Sequence, residues 1–315
     1  MKDAFDRDIT YLRISITDLC NLRCLYCMPD GVCRKRHEDI LSFEEITEIA
    51  AAAASLGVKK LRVTGGEPLV RRGCAELCAM LAAIDGIEEL VLTTNGTLLP
   101  RYAGALRQAG VRRVNISLDT LDPAKYSRIT GGMGRLDDAV AGIRAAQDAG
   151  FAPLKINVVL IGGFNDDEIP AFVELTRRQP IELRFIELMP MGGRFGPEAY
   201  IPVGTVLERV PALTPLPDDG GVARLYRLPG GQGRVGLISP ISRHFCASCN
   251  RLRLTSEGHI KPCLHSDREL PLRGLHGDAL TEALRAAIAA KPAMHGVLDA
   301  DHMSAAGRGM YTIGG

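Results

Sequence analysis

The sequence predicts an α/β protein: an incomplete barrel of six βα units, followed by a smaller C-terminal α+β module. Three observations carry this reading. Short β-rich runs recur at 11–16, 60–63, 89–93, 113–118, 154–160 and 182–187. Helical patterns fill the intervals at 43–56, 74–84, 100–109, 136–149 and 166–178. Several of them end at a glycine suited to a C-cap, namely Gly57, Gly86, Gly110 and Gly150.

Repeated βα units imply parallel strands with helices outside. Six units fall two short of a closed eight-stranded barrel, which favours a curved, partly open barrel over a flat doubly wound sheet; local pattern alone does not separate the two. In both, ligands gather at the C-terminal ends of the strands. After Met189 the texture turns Pro- and Gly-rich, with short strands at 224–228, 234–238 and 251–255 and a helix near 278–290. The expected division is a core over 1–222 and a module over 223–315, with no repeat of fixed length.

At 315 residues and 46% hydrophobic content the chain buries a large core, so wholesale disorder is excluded. A net charge of +1 gives no broad electrostatic case for a nucleic-acid or membrane partner. Anion binding must be local, and arginine, with 30 residues against eight lysines, is the side chain suited to it. Residues 1–10 lack the apolar stretch of a secretory signal, and the early apolar run at 49–58 is too short to cross a bilayer. A cytoplasmic protein is expected. Nine cysteines in a reducing compartment point to metal ligation or catalysis rather than disulfides.

Cys20, Cys24 and Cys27 form C-x3-C-x2-C directly after the first strand. Three close thiolates in a loop can hold three irons of a [4Fe–4S] cube and leave the fourth open to a ligand. A structural zinc site would want a fourth Cys or His, and His37, ten residues beyond Cys27, is the nearest histidine. Cys246, Cys249 and Cys263 form C-x2-C-x13-C around an apparent hairpin at Glu257-Gly258. A second cube is one reading of it; zinc with His244, His259 or His265 as fourth ligand is the other. Cys74 and Cys78, at i and i+4 beside Leu77, Met80 and Leu81, read as packing, and Cys33 as incidental.

With Tyr26 just before the third cysteine, the first motif resembles the radical S-adenosylmethionine (SAM) superfamily. Thr64-Gly65-Gly66-Glu67-Pro68, after the second strand, is similar to that superfamily's GGEP segment. The resemblance implies that the open iron chelates SAM through its amino and carboxylate groups, and that reductive cleavage gives a 5′-deoxyadenosyl radical. It assigns Tyr26, Gly66 and Glu67 to SAM, with Glu67 available to an ammonium, and places Ser117 and Met189 against the ribose and adenine.

Both cysteine sets, Asn250-Arg251-Leu252-Arg253 and the closing Gly314-Gly315 together resemble the GTP 3′,8-cyclase family of molybdenum cofactor biosynthesis. The resemblance spans nearly the whole chain. It implies two [4Fe–4S] clusters and SAM as cofactors, and GTP as a substrate cyclised to 3′,8-cyclo-7,8-dihydro-GTP. Arg13, Arg62, Thr93, Lys155, Arg184, Arg251 and Arg253 are the implied GTP contacts, although Arg184 can equally pair with Glu182 or Glu187. Gly314 and Gly315 are the implied catalytic tail. A reductant protein of flavodoxin or ferredoxin type, the downstream cyclic pyranopterin monophosphate synthase and a second copy of the chain in a homodimer are the implied partners. A peptide-modifying radical SAM maturase and a non-enzymatic zinc protein are the competing readings.

Overall fold

The computed structural model describes residues 1–28, 31, 35–298 and 303–314. Six βα units run in order: β1 (Tyr11–Ser15), α1 (Phe43–Ser55), β2 (Lys60–Thr64), α2 (Cys74–Ala82), β3 (Glu89–Thr94), α3 (Leu99–Gln108) and β4 (Arg113–Ser117). They continue with α4 (Pro123–Ile129), α5 (Leu136–Asp148), β5 (Leu154–Leu160), α6 (Ile169–Arg178) and β6 (Ile181–Glu187). The remainder comprises α7 (Thr205–Arg209), β7 (Thr214–Pro215), β8 (Arg224–Arg227), β9 (Arg234–Ile238), β10 (Arg251–Leu254), β11 (His259–Lys261), β12 (Leu270–Pro271) and α8 (Gly277–Ala289).

The helix ends follow the glycines. Gly57, Gly110 and Gly150 adopt positive φ. At each, the glycine N–H and the next N–H turn back onto the last helical turn, as in Gly57 N to Ala54 O at 2.9 Å and Val58 N to Ala53 O at 3.1 Å. At the other end of α1, Ser42 and Glu45 form a reciprocal capping box. The predicted strands agree with the observed ones to within a residue. A 3-10 turn over Asp166–Glu168 delays α6 to Ile169.

All twelve strands belong to one sheet, ordered β12-β11-β10-β1-β2-β3-β4-β5-β6-β9-β8-β7. β1 to β6 lie in unreversed sequence order with parallel pairing. Right-handed crossovers in one direction put every helix on one side, which curls the sheet and leaves its other face open as a trough. The strands after β6 do not make a sheet of their own. β9 adds in parallel to β6 and β10 in parallel to β1, so the C-terminal segment extends both edges of the sheet.

Strand alternation then sorts the side chains. Leu12, Ile14, Leu61, Val63, Leu92 and Ile116 are buried among the helices, in a core that also holds Cys74 and Cys78. Arg13, Arg62 and Asn115, on the opposite face, line the trough. Among the described residues no helix is long and apolar enough to cross a membrane.

Two helical glycines separate packing from propensity. A Cβ on Gly142 of α5 would collide with the carbonyl of Gly96 after β3, whereas one on the exposed Gly104 of α3 meets nothing within 4 Å. Gly142→Ala is therefore expected to cost about 1–3 kcal/mol by overpacking, and Gly104→Ala to gain about 0.5–1 kcal/mol from helix propensity. Urea unfolding of both variants measures this; equal shifts would contradict the close approach of α5 to the β3 loop.

Candidate active site

The trough holds a cavity of about 540 Å3 that both cysteine loops line. Its floor is cationic. Register places Arg253 of β10, Arg13 of β1 and Arg62 of β2 side by side on three adjacent strands, and all three are buried. Burial, with Arg253 and Arg62 beside it, pushes the Arg13 guanidinium well below its ordinary value. Burial and then Arg251 bring Arg253 down to about 10. Tyr11 packs beneath the cations, its ring centroid 5.1 Å from Lys60 Nζ and 5.6 Å from the Arg62 guanidinium. Arg62 donates to Thr93 Oγ1 at 3.2 Å. Among the described residues, the buried Arg62 Nε, Arg251 Nη2 and Tyr11 hydroxyl have no partner. A desolvated row of like charges with unused donors suits a polyanion, whose entry relieves the repulsion.

Lys155 and Arg184 stand further round the sheet, and here the alternative pairing holds. Glu182 accepts from Lys155 Nζ at 2.8 Å, from Arg184, and from Arg234 Nε at 2.7 Å. Burial opposes the Glu182 charge, but Arg184, Lys155 and Arg234 outweigh it and hold the carboxyl at about 2. Burial, then Arg184, lowers Lys155 to about 8. Three cations around one carboxylate leave a positive surplus, and of the four residues Arg184 lines the cavity while Lys155 stands behind it.

The first cysteine loop rises from the end of β1 and is braced on three sides. Gly66 N donates to Thr17 O and Glu67 N to Leu19 O, each at 2.8 Å; a Cβ on Gly65 or Gly66 would collide with those same carbonyls. The two glycines thus let the loop after β2 press against the segment that carries Cys20. Arg23 N donates to Thr130 O at 3.1 Å at the end of α4, and Arg194 N to Leu25 O at 2.9 Å. Tyr26 donates its hydroxyl to Asp119 Oδ2 at 2.9 Å, while Asp119 Oδ1 accepts from Val159 N at 2.8 Å. Burial raises Asp119 to about 6. Ser117, Asp119 and Met189 line the cavity beside this loop.

Glu67 is set deep in the same loop. Its carboxylate is fully buried and accepts from Leu69 N at 3.1 Å, Thr94 Oγ1 at 2.8 Å and Asn95 N at 2.7 Å. Burial raises it to about 7 against those donors. Its role is to tie the loop after β2 to the end of β3, from which Asn95 reaches Asn21 Oδ1 at 2.9 Å.

The three thiols of this loop suit an iron–sulfur cluster. Burial pushes Cys20 up to about 11, Cys27 up to about 12 and Cys24 well above its ordinary value. They keep their protons until a metal displaces them. Leu22 N already points at Cys20 Sγ, at 3.4 Å. Among the described residues no three His, Cys, Asp or Glu close on a single-ion site.

Cys246, Cys249 and Cys263 line the cavity from the β10 side. Burial opposes the Cys249 thiolate, yet Arg251 and Lys291 outweigh it and lower its pKa. Lys291 itself is buried, with Nζ 3.4 Å from Cys249 Sγ. Of the histidines considered as a fourth ligand, His244 and His265 pack around His295, with ring centroids 4.5 and 4.9 Å away. His259 lies on β11. The tail closes this end: Arg253 donates to Ile313 O at 3.0 Å and to Gly314 O, and Gly314 is buried against Thr64. Gly315 and Cys33 lie outside the described residues.

The motifs did not disclose Tyr11, Lys60, Asn95, Asp119 or Lys291. Period two alone puts Tyr11 with Arg13 and Lys60 with Arg62. Asp119 follows Ser117 at a strand end. Nothing local distinguishes Lys291 at the exit of α8.

Glu182→Gln leaves Lys155 and Arg184 without the carboxylate they share. Breaking a buried pair costs about 3–5 kcal/mol, the loss expected in urea unfolding at neutral pH, with inorganic triphosphate restoring part of it. Because the folded carboxyl is held at about 2 against an ordinary 4.5, the wild-type advantage should be complete above pH 4.5 and vanish as pH falls through 2. A variant as stable as the wild type at pH 7 would remove Glu182 from this role.

Residues 14–176 match the Radical SAM superfamily model and residues 181–297 the Molybdenum Cofactor Synthesis C model. A protein from Alkaliphilus oremlandii named GTP 3′,8-cyclase is 51% identical, with 100% of each chain covered. Another of that name, from Moorella thermoacetica, is 50% identical over 94% of this chain and 95% of its own. Among solved structures, Streptococcus suis SuiB matches with a TM-score of 0.62 at 15% identity, over 89% of this chain and 68% of that one, a likeness of fold alone. With both halves matched and full-length identity near one residue in two, the chain belongs to the radical SAM superfamily and, within it, to the GTP 3′,8-cyclase family.

Proposed function

We propose that this chain cyclises GTP to 3′,8-cyclo-7,8-dihydro-GTP with SAM, the opening reaction of molybdenum cofactor biosynthesis. One observation carries the reading: two thiol triads face a single cavity floored by buried arginines. Cys20, Cys24 and Cys27 hold one [4Fe–4S] cluster and Cys246, Cys249 and Cys263 a second. With SAM bound, the first cluster would supply the one-electron chemistry for cyclising GTP, and the second would stand on the GTP side of the cavity.

The protein's own part is binding and exclusion of water. Arg13, Arg62, Arg251 and Arg253 receive the triphosphate, where bidentate guanidinium contacts are strongest. Thr93 orients Arg62 from its Oγ1. Lys155 and Arg184, gathered by Glu182, steady the ribose side of the nucleotide. Tyr26, the backbone of Gly66, Ser117 and Met189 seat SAM, with Tyr26 fixed by Asp119. Gly314 and Gly315 are the catalytic tail of this reading, a pair with no side chains to fill a narrow site. Residues 1–222 act as the radical SAM core and 223–315 as the module that contributes the second cluster and part of the GTP site. A flavodoxin- or ferredoxin-type reductant, cyclic pyranopterin monophosphate synthase downstream, a cytoplasmic setting and a homodimer complete the reading.

The test is anaerobic reconstitution followed by assay with SAM, dithionite and GTP. About eight irons per chain are expected from two cubes, with 5′-deoxyadenosine and the cyclised nucleotide both depending on GTP. Cys24→Ser should abolish SAM cleavage, whereas Cys249→Ser should retain some cleavage and lose the cyclised product. About four irons in the wild type, with SAM cleavage indifferent to GTP, would leave a radical SAM enzyme acting on another substrate.

A further inference from the structure

The second cysteine triad is drawn from two separated pieces of chain: Cys246 and Cys249 precede β10, and Cys263 follows β11. The antiparallel pairing of β10 with β11 brings the pieces together, and a buried ammonium bridges them beside the sulfurs. Lys291, just beyond α8, is 3% exposed, and its Nζ donates to Cys249 Sγ at 3.4 Å, Arg251 O at 3.0 Å and Pro262 O at 2.9 Å. An ammonium has three donors, so all are used. One bond reaches a triad sulfur, one the strand that leaves it, and one the residue immediately before Cys263.

A second buried cation fixes where Lys291 sits. Arg7 pairs with Asp3 at 2.6 Å and donates to Cys246 O at 2.8 Å, Ala293 O at 3.0 Å and Pro292 O at 2.7 Å. The segment directly after Lys291 is thereby bound to the remaining cysteine of the triad. Between them the two cations touch all three cysteine-bearing stretches, but only Lys291 brings its charge to a sulfur.

We propose that Lys291 is the positioning residue of the second cluster: with Arg7 holding the Cys246 stretch, it joins the Cys249 and Cys263 stretches, and its N–H donation to Cys249 Sγ sets the reduction potential of the cluster they hold. This rests on the two-cluster reading above. Hydrogen bonds and positive charge at a ligand sulfur favour the reduced cluster, which carries one more negative charge, and so raise the potential. Neither arginine nor a neutral side chain reproduces a compact charge with three divergent donors.

The experiment uses the full chain with Cys20, Cys24 and Cys27 all changed to Ala, so that only the second site binds iron. Lys291→Met and Lys291→Gln are made in that parent. Each protein is reconstituted without oxygen, its iron and sulfide are counted, and the cluster is titrated potentiometrically by electron paramagnetic resonance. The expected result is about four irons in the parent and a reduction equilibrium shifted at least tenfold toward the oxidised form in Lys291→Gln, about 59 mV for one electron. Lys291→Met should lose iron or shift at least as far. Iron loss alone would fit a merely structural role, so the potential of Lys291→Gln decides. Full iron with an unchanged potential in Lys291→Gln would overturn the proposal while leaving two clusters intact. A parent that takes up zinc or no iron would overturn the two-cluster reading, and this inference with it.

Discussion

The parallel pairing of β10 with β1 is the contact on which the rest of the site depends. It sets Arg253 beside Arg13 and Arg251 beside Tyr11, joining residues some 240 positions apart in the chain. Without it the arginine row has two members, the second thiol triad has no fixed relation to the first, and Arg253 cannot meet the C-terminal tail. The pairing uses ordinary backbone hydrogen bonds, while Leu252 and Leu254 are buried in the helix-side core. Strand alternation converts that apolar anchoring into a guaranteed direction for the arginines between them.

Charge in the trough is arranged in two styles. The Glu182 group is partly compensated, with three cations sharing one buried carboxylate. The row formed by Arg253, Arg13 and Arg62 repels itself in a desolvated setting. The first style organises the site without a ligand; the second leaves electrostatic energy that an anion releases. Buried like charges at a functional site reflect selection for the ligated state over maximal stability of the empty one. The thiols follow the same logic, since burial keeps those of the first loop protonated until a metal arrives.

Local pattern made the six βα units legible because strand alternation, helical periodicity and glycine caps agreed within each of them. The short α4 was missed although its start is written in Asp122-Pro123, where Asp122 Oδ1 caps Ala124 N and Lys125 N at 2.7 and 2.8 Å. The two cysteine sets and the arginines that line the cavity were picked out by spacing and family likeness. The bracing bonds of Glu67 were not, because a GGEP string does not say which backbone and hydroxyl groups its carboxylate meets. Lys291 was hidden for another reason: its partners lie beyond other elements, and single-chain periodicity carries no record of such meetings, nor of the Lys155 and Arg234 that join Arg184 on Glu182. The same blindness covered the fate of the C-terminal strands, whose sequence announces β structure but not the edges they join.

Those edges have a meaning during synthesis. A nascent chain that has emerged only through β6 exposes unpaired backbone on the outer sides of both β1 and β6, the kind of open template on which sheets of different molecules join. β9 covers one side first and β10 the other soon after. The last third of the polypeptide is thus its own chaperone, and a truncation before β10 would leave a sticky sheet rather than a smaller working core.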